Sequence, residues 1–297
     1  MTTGSLTTAE RMAQGSRSFT WRGADGTPFP GLVWEPDDMP ARKHVLCIHG
    51  LSGAAADFGP VGQRLSAEGY AVWAINLRGQ GLDPDSTRCG HFLETEGWRA
   101  DLTTFVESTI GKEPIHLVGE SMGALVALDA VVHRALHPQR LVLAVPVTEI
   151  RTPVPGWLIS TMGMAAKVVP RVKLSPMRFV HHKISIPRLT ADDEYMAYLK
   201  NIPHRVNGFS LKFLTSFHDL MEETRKNAAH LQVPTLMLSA GHDAFTRPDQ
   251  SQSFFDSLGA AEKEHVFYPQ SHHLLWHDVD TAAVLERISR WFGEVKP

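Results

Sequence analysis

Short apolar runs alternate with amphipathic stretches along most of the chain. Apolar runs with little polar alternation predict strands buried on both faces of a sheet. The first predicted strands are residues 44–48, 71–77, 115–118 and 141–145. The predicted helices between them are residues 58–69, 96–110 and 124–135. Strands and helices that alternate at this rhythm predict βαβ units, and therefore an α/β fold with a mostly parallel central sheet flanked by helices.

Two departures from this rhythm shape the predicted domain organisation. Near the start, residues 18–21 and 32–34 flank a Gly-Ala-Asp-Gly turn and predict a hairpin. After residue 146 the strands give way to prolines and to amphipathic pieces around 157–169, 192–199 and 208–225, which predict a mostly helical insertion. The rhythm then resumes with strands at 235–238 and 265–268 and helices at 250–258 and 281–292. The predicted units are a loose segment 1–16, a core domain 17–146 and 231–297, and a helical cap 147–230.

Composition narrows the classes of protein that remain. Hydrophobic residues make up 43% of the 297 residues and charged residues 21%, which excludes global disorder. The 29 basic and 32 acidic residues give a formal net charge of -3, which argues against a nucleic-acid binder. The two cysteines form neither a CxxC site nor a disulfide framework. The N-terminal residues show no apolar signal segment and no run is long enough to span a bilayer, so we expect a cytoplasmic protein.

The clearest chemical motif is Gly119-Glu120-Ser121-Met122-Gly123, a G-x-S-x-G pattern. The pattern alone is short, but here it lies between a predicted strand and a predicted helix, which is the context of a nucleophile elbow. A serine at such a strained turn stands clear of the sheet, and the helix N-terminus behind it favours a developing oxyanion. The motif therefore predicts Ser121 as a nucleophile, against the alternative of a structural serine in a glycine-rich turn.

A serine nucleophile needs a histidine base and a carboxylate that orients the base. Asp243 follows the predicted strand 235–238, and Asp249 competes with it but lies next to Pro248, where a helix N-cap is the better interpretation. His272 and His273 both follow the strand 265–268, and their positions alone leave the choice open. The loop His49-Gly50-Leu51-Ser52-Gly53 follows another buried strand. It predicts a second oxyanion donor at the Leu51 N–H beside that of Met122, with His49 bracing the loop.

Taken together, these residues resemble the α/β-hydrolase fold family, and within it the monoacylglycerol lipase and lysophospholipase branch. The resemblance covers roughly residues 18–294 and is carried by His49-Gly50, Arg78-Gly-Gln-Gly81, the Ser121 elbow, Asp243 and the segment His273–Asp278. That branch has a catalytic histidine followed five residues later by an acidic residue, a spacing that His273 and Asp278 meet. The resemblance therefore implies the triad Ser121, Asp243 and His273. Asn76 stands where the branch has aspartate, and we expect this change to alter loop packing without loss of activity.

The resemblance implies a serine carboxylic-ester hydrolase acting on monoacylglycerol-like or other medium-to-long acyl esters, without metal or organic cofactor. The same triad could instead serve an aminopeptidase, a thioesterase or a carbon–carbon bond hydrolase, and Asp192, Asp193 and Glu194 in the cap keep the peptidase option open. A non-catalytic ligand-binding protein on this fold is the alternative from another class. The expected partner is a small-molecule acyl ester, with no nucleic acid and with transient contact between the cap and a lipid surface; the oligomeric state is left open.

The cap segment that begins at Trp157 is a candidate for substrate binding. If it forms a helix, its apolar side chains share one broad face, which contains Trp157, Leu158, Met162, Ala165 and Val169. That face either packs onto the core domain or lines the path of the acyl chain and touches lipid, a setting that suits Trp157.

Overall fold

The computed structural model describes residues 7–37, 43–91, 94–174, 187–206 and 208–293. The strands in these ranges are β1 (Ser16–Arg22), β2 (Pro28–Trp34), β3 (Lys43–Ile48), β4 (Tyr70–Ile75), β5 (Ile115–Glu120), β6 (Arg140–Ala144), β7 (Lys173–Leu174), β8 (Phe209–Ser210), β9 (Thr235–Ala240) and β10 (Lys263–Tyr268). The α-helices are α1 (Thr8–Ala13), α2 (Gly59–Ser66), α3 (Thr95–Phe105), α4 (Met122–Val132), α5 (Gly156–Val168), α6 (Asp193–Asn201), α7 (Leu211–Asn227), α8 (Pro248–Ser257) and α9 (Thr281–Gly293).

Eight of the strands form one sheet in the order β1-β2-β4-β3-β5-β6-β9-β10. The predicted hairpin is confirmed, since β1 pairs antiparallel with β2, which in turn pairs antiparallel with β4. From β4 to β10 every neighbouring pair runs parallel. All six residues of the central strand β5 are buried, as its apolar run predicts. The predicted α/β class with a mostly parallel sheet is therefore confirmed.

Helices cover both faces of this sheet and bury two separate apolar layers. On one face, α2 and α9 supply Val61, Leu65, Ile288 and Phe292. The layer on the other face takes its side chains from α3, α4, α7 and α8. Because the strands from β4 to β10 run parallel, their carboxyl ends lie along one edge of the sheet, where loops can converge.

The chain between the sheet neighbours β6 and β9 contains the three predicted insertion helices, present as α5, α6 and α7. It also contains β7 and β8, which pair antiparallel over two residues each and which the sequence did not predict. Ser210 at the end of β8 caps α7 by accepting a hydrogen bond from the Phe213 N–H. The Ser210 hydroxyl also lies 2.8 Å from the His91 Nδ1, so the base of the inserted segment is tied to the loop that contains His91.

The prediction of a loose start over residues 1–16 is wrong for its described part. From Thr7 the chain forms a capping box with Glu10 and then α1. The buried Met12 lies so close to Gly59 that a side chain at 59 would meet its carbonyl at 2.2 Å. Arg11 and Thr8 also contact Glu194 of α6. A six-residue helix is marginal alone, so these tertiary contacts explain why it forms.

Within the ranges that the structure covers, no helix has both the length and the apolar character to cross a membrane.

His116 on β5 is a buried titratable group away from the open edge of the sheet. Its ring stacks on Phe292 with centroids 4.5 Å apart, and in the described structure neither ring nitrogen has a hydrogen-bond partner. Burial lowers the pKa of His116 to about 3, and the charges of Lys43 and Arg140 add to the effect. The unfolded imidazole takes up a proton below about pH 6.5 while the folded one stays neutral, so stability is lost as the pH falls through this window.

Replacing His116 with phenylalanine should remove this pH dependence. Relative to wild type, the variant should gain free energy of unfolding by up to ~1.4 kcal/mol for each pH unit below about 6.5. Urea unfolding of both proteins at about pH 8 and about pH 5 measures the difference, and the pair at the higher pH reports any packing cost of the larger ring. A difference that is the same at both pH values would contradict the prediction.

Candidate active site

Ser121 occupies a strained turn between β5 and α4. Its φ of 55° and ψ of -118° are values that a non-glycine residue rarely adopts. The flanking glycines are needed for close packing. A Cβ at Gly119 would lie 2.5 Å from the Gly123 carbonyl, and one at Gly123 would lie 2.0 Å from the Ile48 carbonyl. The G-x-S-x-G pattern thus forms the strand–turn–helix context that the sequence predicts.

Asp243 and His273 are in direct contact at the same edge of the sheet. Asp243 follows β9 and His273 follows β10, and the Asp243 Oδ2 lies 2.9 Å from the His273 Nδ1. The other oxygen, Oδ1, accepts hydrogen bonds from the Phe245 N–H at 2.7 Å and the Thr246 N–H at 3.3 Å. A carboxylate held in this way favours the tautomer with the proton on Nδ1, which leaves the other ring nitrogen, Nε2, able to accept a proton.

The three predicted triad residues are buried and follow β5, β9 and β10. The structure joins Asp243 to His273 by a hydrogen bond, while within its described residues no hydrogen bond links the Ser121 hydroxyl to the His273 ring. Hydrogen bonds of this kind are often long in unliganded enzymes and tighten when substrate binds.

The two residues that competed for triad roles, His272 for the base and Asp249 for the acid, have other partners. His272 pairs with Asp278, whose Oδ2 lies 3.0 Å from the His272 Nδ1 and also accepts the His272 N–H. Asp249 is exposed and forms an ion pair with Arg247. The predicted N-cap role of Asp249 is wrong, because Pro248 takes the first helical position and Arg247 is the N-cap.

The loop at residues 49–53 passes directly beside Ser121. A Cβ at Gly50 would lie 3.0 Å from the Ser121 Cβ, so only glycine fits there without displacing a neighbour. Among the hydrogen bonds of the described residues, none uses the Leu51 or Met122 N–H as donor. Both predicted oxyanion donors thus remain available to a ligand.

His49 braces this loop, as the sequence predicts. Its Nε2 accepts the Leu77 N–H at 3.0 Å, and its Nδ1 lies 2.8 Å from the Gly50 carbonyl, to which it donates. Burial lowers the pKa of His49 to about 4, so the ring is neutral at physiological pH and suited to accept one bond and donate one.

The neighbouring turn at residues 76–81 holds the loop from the other side. Asn76 accepts the Ala55 N–H at 2.9 Å and donates to the Pro30 carbonyl at 2.8 Å, so it ties the loop to β2. Gln80 Oε1 accepts the Ser52 N–H at 3.0 Å. Arg78 is buried and forms bidentate hydrogen bonds with Asp101. Asn76 therefore takes part in loop packing, and the expectation that this replacement of aspartate causes no loss of activity stays a prediction.

Glu120 is a second buried acid beside Ser121. In the described structure its Oε1 has no hydrogen-bond partner. Burial raises the pKa of Glu120 well above its usual range, and the charge of Asp57 adds to the effect. Burial thus disfavours the charged form of this side chain, which the proposed triad does not use.

The candidate substrate-binding residues lie on α5, which packs along α7. Trp157 is 71% exposed, whereas Leu158 and Met162 are half-buried. No residue of α5 is fully buried, so the predicted apolar face is split between a half-buried side and an exposed side.

Several residues that shape the site were not predicted from the sequence. Arg151 donates to the Asp243 carbonyl at 2.7 Å and so anchors the loop that carries the acid. Asp57 follows the loop of residues 49–53, and the Tyr195 hydroxyl from α6 donates to it at 3.3 Å. These partners are far apart in the chain and belong to no local motif, so the sequence offers no signal that would pair them.

A strained serine at a strand-to-helix turn, on a sheet with this strand order, defines the α/β-hydrolase class of enzymes. Residues 39–280 match the model of the family described as Serine aminopeptidase, S33. The chain belongs to this family of serine hydrolases, and its predicted resemblance to the monoacylglycerol lipase branch is confirmed.

Individual relatives agree with this placement. The chain is 22% identical over 285 residues to a Mycolicibacterium smegmatis protein named monoacylglycerol lipase, covering 94% of this chain and 98% of that protein. It is 23% identical over 245 residues to a Bacillus subtilis carboxylesterase, covering 80% of this chain and 86% of that protein. The solved structure of a soluble variant of Saccharomyces cerevisiae monoglyceride lipase superimposes with a TM-score of 0.81 at 20% identity, covering 97% of this chain and 98% of that one.

Proposed function

We propose that this protein hydrolyses carboxylic esters of monoacyl lipids through a triad of Ser121, His273 and Asp243. The observation that carries the proposal is the 2.9 Å contact between Asp243 and His273 at the edge where the strained Ser121 lies. The names of the relatives, monoacylglycerol lipase and carboxylesterase, support ester bonds as the target.

In this proposal the Ser121 Oγ attacks the ester carbonyl carbon while the His273 Nε2 takes the hydroxyl proton. The N–H groups of Leu51 and Met122 bind the oxyanion of the tetrahedral intermediate. His273 then gives the proton to the departing alcohol, and water hydrolyses the acyl-enzyme by the same route. Asp243 keeps the ring in the required tautomer and stabilises its charged form.

The exposed side of α5 suits contact with lipid. Trp157, Met164 and Val168 are 71%, 63% and 81% exposed and lie on one side of the helix. Apolar side chains that are exposed together on one side of a helix are typical of a surface that contacts lipid or another molecule. We propose that the exposed side meets the lipid surface and that the half-buried side, with Leu158 and Met162, lines the path of the acyl chain.

Replacing both Leu158 and Met162 with serine should depress hydrolysis of long-chain monoacylglycerols and spare butyrate esters. Each acyl CH₂ buried against an apolar wall is worth ~0.8 kcal/mol, so kcat/KM should lose much of its rise with chain length. A panel of monoacylglycerols and p-nitrophenyl esters of graded chain length measures this, with thermal unfolding as a check on the fold.

The matched control is the double variant Trp157→Ser and Met164→Ser on the exposed side of α5. It should keep activity on dispersed long-chain esters and lose binding to phospholipid vesicles. If the Leu158 and Met162 variant instead loses activity on short and long esters alike, with a large fall in Tm, the α5 side chains are ordinary packing residues.

The family description keeps an aminopeptidase as a second candidate. The cap acids that could hold a free amine are engaged elsewhere. Asp192 caps α6, the exposed Asp193 pairs with Arg188, and the exposed Glu194 pairs with Arg11. Measuring aminoacyl p-nitroanilides beside the esters separates a peptidase from an esterase. The proposal of ester hydrolysis fails if the protein turns over the anilides faster than the esters.

A further inference from the structure

Asp57 is a half-buried residue whose carboxyl the proposed triad does not use. It lies in the 3₁₀ turn Ala55–Phe58, whose N-cap is Ala54. This turn follows the loop at residues 49–53, called the oxyanion loop below because it carries the Leu51 N–H. Its Oδ2 accepts the Ala54 N–H at 2.8 Å. A Cβ at Gly53 would lie 2.8 Å from the same oxygen, so the carboxyl packs closely against the end of the loop. Asp57 therefore holds the end of the oxyanion loop by a hydrogen bond and by close packing.

Three distant segments of the chain meet at this residue. The Tyr195 hydroxyl of α6 donates to the Asp57 Oδ1 at 3.3 Å. The Tyr195 ring stacks on His277 with centroids 3.9 Å apart and an angle of 12° between the planes. His277, which follows the His273 loop, donates from Nε2 to the Asp57 carbonyl at 2.7 Å. The inserted segment and the loop that carries His273 are thus both fastened to the end of the oxyanion loop.

The surroundings of Asp57 make these contacts necessary. Burial raises the pKa of Asp57 to about 6, and its hydrogen bonds with Ala54 and Tyr195 act in the opposite direction. Removing a carboxyl from water without such partners is costly, so these hydrogen bonds offset the cost of partly burying Asp57. Tyr195 supplies the only described side-chain hydroxyl among them.

The loop transmits this anchoring to the nucleophile. Its Gly53 N–H donates to the Gly50 carbonyl at 3.1 Å, which closes a tight turn around Leu51 and Ser52. Gly50 in turn packs against Ser121. Since the loop is fixed at Gly50 and at Ala54, a shift of Asp57 moves the Leu51 amide relative to the Ser121 hydroxyl. Oxyanion donors act over hydrogen-bond distances, where a displacement of less than 1 Å costs rate.

We infer that Tyr195 and Asp57 are positioning residues, through which helix α6 of the inserted segment sets the Leu51 N–H in the oxyanion hole. The inference rests on the proposed function, because it assigns the pair to the same ester-hydrolysing site. Neither residue touches the substrate. Their effect reaches the reaction through the position of the loop, and it therefore acts on the transition state more than on the bound ester.

The test is the variant Tyr195→Phe, which keeps the ring stacked on His277 and removes only the hydroxyl. We expect kcat for p-nitrophenyl esters to fall about 10-fold with KM within about 2-fold, since the loss falls on the transition state. Affinity for an alkyl trifluoromethyl ketone should fall by a similar factor, because Ser121 adds to its carbonyl and leaves an oxyanion in the same hole. Tyr198→Phe is the matched control, since Tyr198 lies one turn away and its ring contacts that of Tyr195 at a tilt, with centroids 5.7 Å apart.

Two further variants separate positioning from bulk stability. Asp57→Asn retains an oxygen that accepts the Ala54 N–H and should keep most of the activity, while Asp57→Ala should lose more than Tyr195→Phe does. The inference is overturned if Tyr195→Phe lowers Tm but leaves kcat and ketone affinity unchanged, or if Tyr198→Phe has the same effect. Lack of ester turnover by the wild-type protein would instead refute the proposed function.

Discussion

Replacing Ser121 with alanine should reduce ester turnover by about 10⁴- to 10⁶-fold. The variant keeps the oxyanion loop and the Asp243–His273 pair but has no atom that can form the acyl-enzyme. Residual rate would come only from water attacking a bound and polarised ester. Hydrolysis of p-nitrophenyl butyrate under saturating conditions measures the loss.

A fluorophosphonate probe provides the control, because it reacts with an activated serine without needing a natural substrate. Wild-type protein should be labelled at Ser121, and Ser121→Ala should not be labelled. The variant Ser253→Ala, which changes an exposed serine on α8, should keep both labelling and turnover. Full activity in Ser121→Ala, or labelling at another residue, would refute the assignment of the nucleophile.

Local pattern predicted most of the regular structure because the signals are strong and periodic. A run such as residues 141–145 has no polar position to face water, so it predicts an interior strand, and β6 is buried throughout. The elbow was found because its two glycines and its serine form a short motif between a predicted strand and a predicted helix. The strand pattern and the motif both lie within a few consecutive residues, and they are therefore visible in the sequence, although the contact that requires Gly123 is with the distant Ile48 carbonyl.

The features that the sequence did not predict depend on tertiary contacts. Helix α1 has a polar and unremarkable composition, and it is held by Met12 against Gly59 and by Arg11 against Glu194. Its capping box, Thr7 with Glu10, was a visible signal that the polar composition outweighed. The link between Tyr195 and Asp57 joins residues 138 positions apart and has no local signature.

The choice between two adjacent histidines shows where pattern alone reaches its limit. His272 and His273 follow the same strand, and a shift of one residue in the loop would exchange their roles. The structure gives each ring a different carboxylate, with His273 on Asp243 and His272 on Asp278. Asp278 also accepts the Ala191 N–H at 2.8 Å, so its pairing with His272 has a structural purpose that links the loop to the inserted segment.

Replacing His273 with alanine should therefore reduce turnover by about 10⁴- to 10⁶-fold, as much as the loss of Ser121, because neither residue acts without the other. His272→Ala should retain most of the activity. Its ring leaves Asp278, but the backbone N–H that also donates to this carboxylate remains, so the loop keeps one of its two hydrogen bonds at that point. Steady-state kinetics of both variants with p-nitrophenyl butyrate, together with the rate of fluorophosphonate labelling, measures the difference.

The two histidine variants serve as controls for each other, since they change the same side chain at adjacent positions of one loop. If both alanine variants lose most of their activity and also show a lower Tm, the loss of activity alone does not identify the base. The variant His273→Gln then decides, because the assignment of His273 as the base holds only if this variant folds with wild-type stability and remains inactive. Glutamine fills much of the ring's volume but cannot take up the proton of Ser121. His273→Gln therefore stays inactive if His273 is the base, and it is active if the imidazole ring only fills space in the loop. An active His273→Gln, or a large loss confined to His272→Ala, would transfer the role of the base away from His273 and break the link between the Asp243 contact and catalysis.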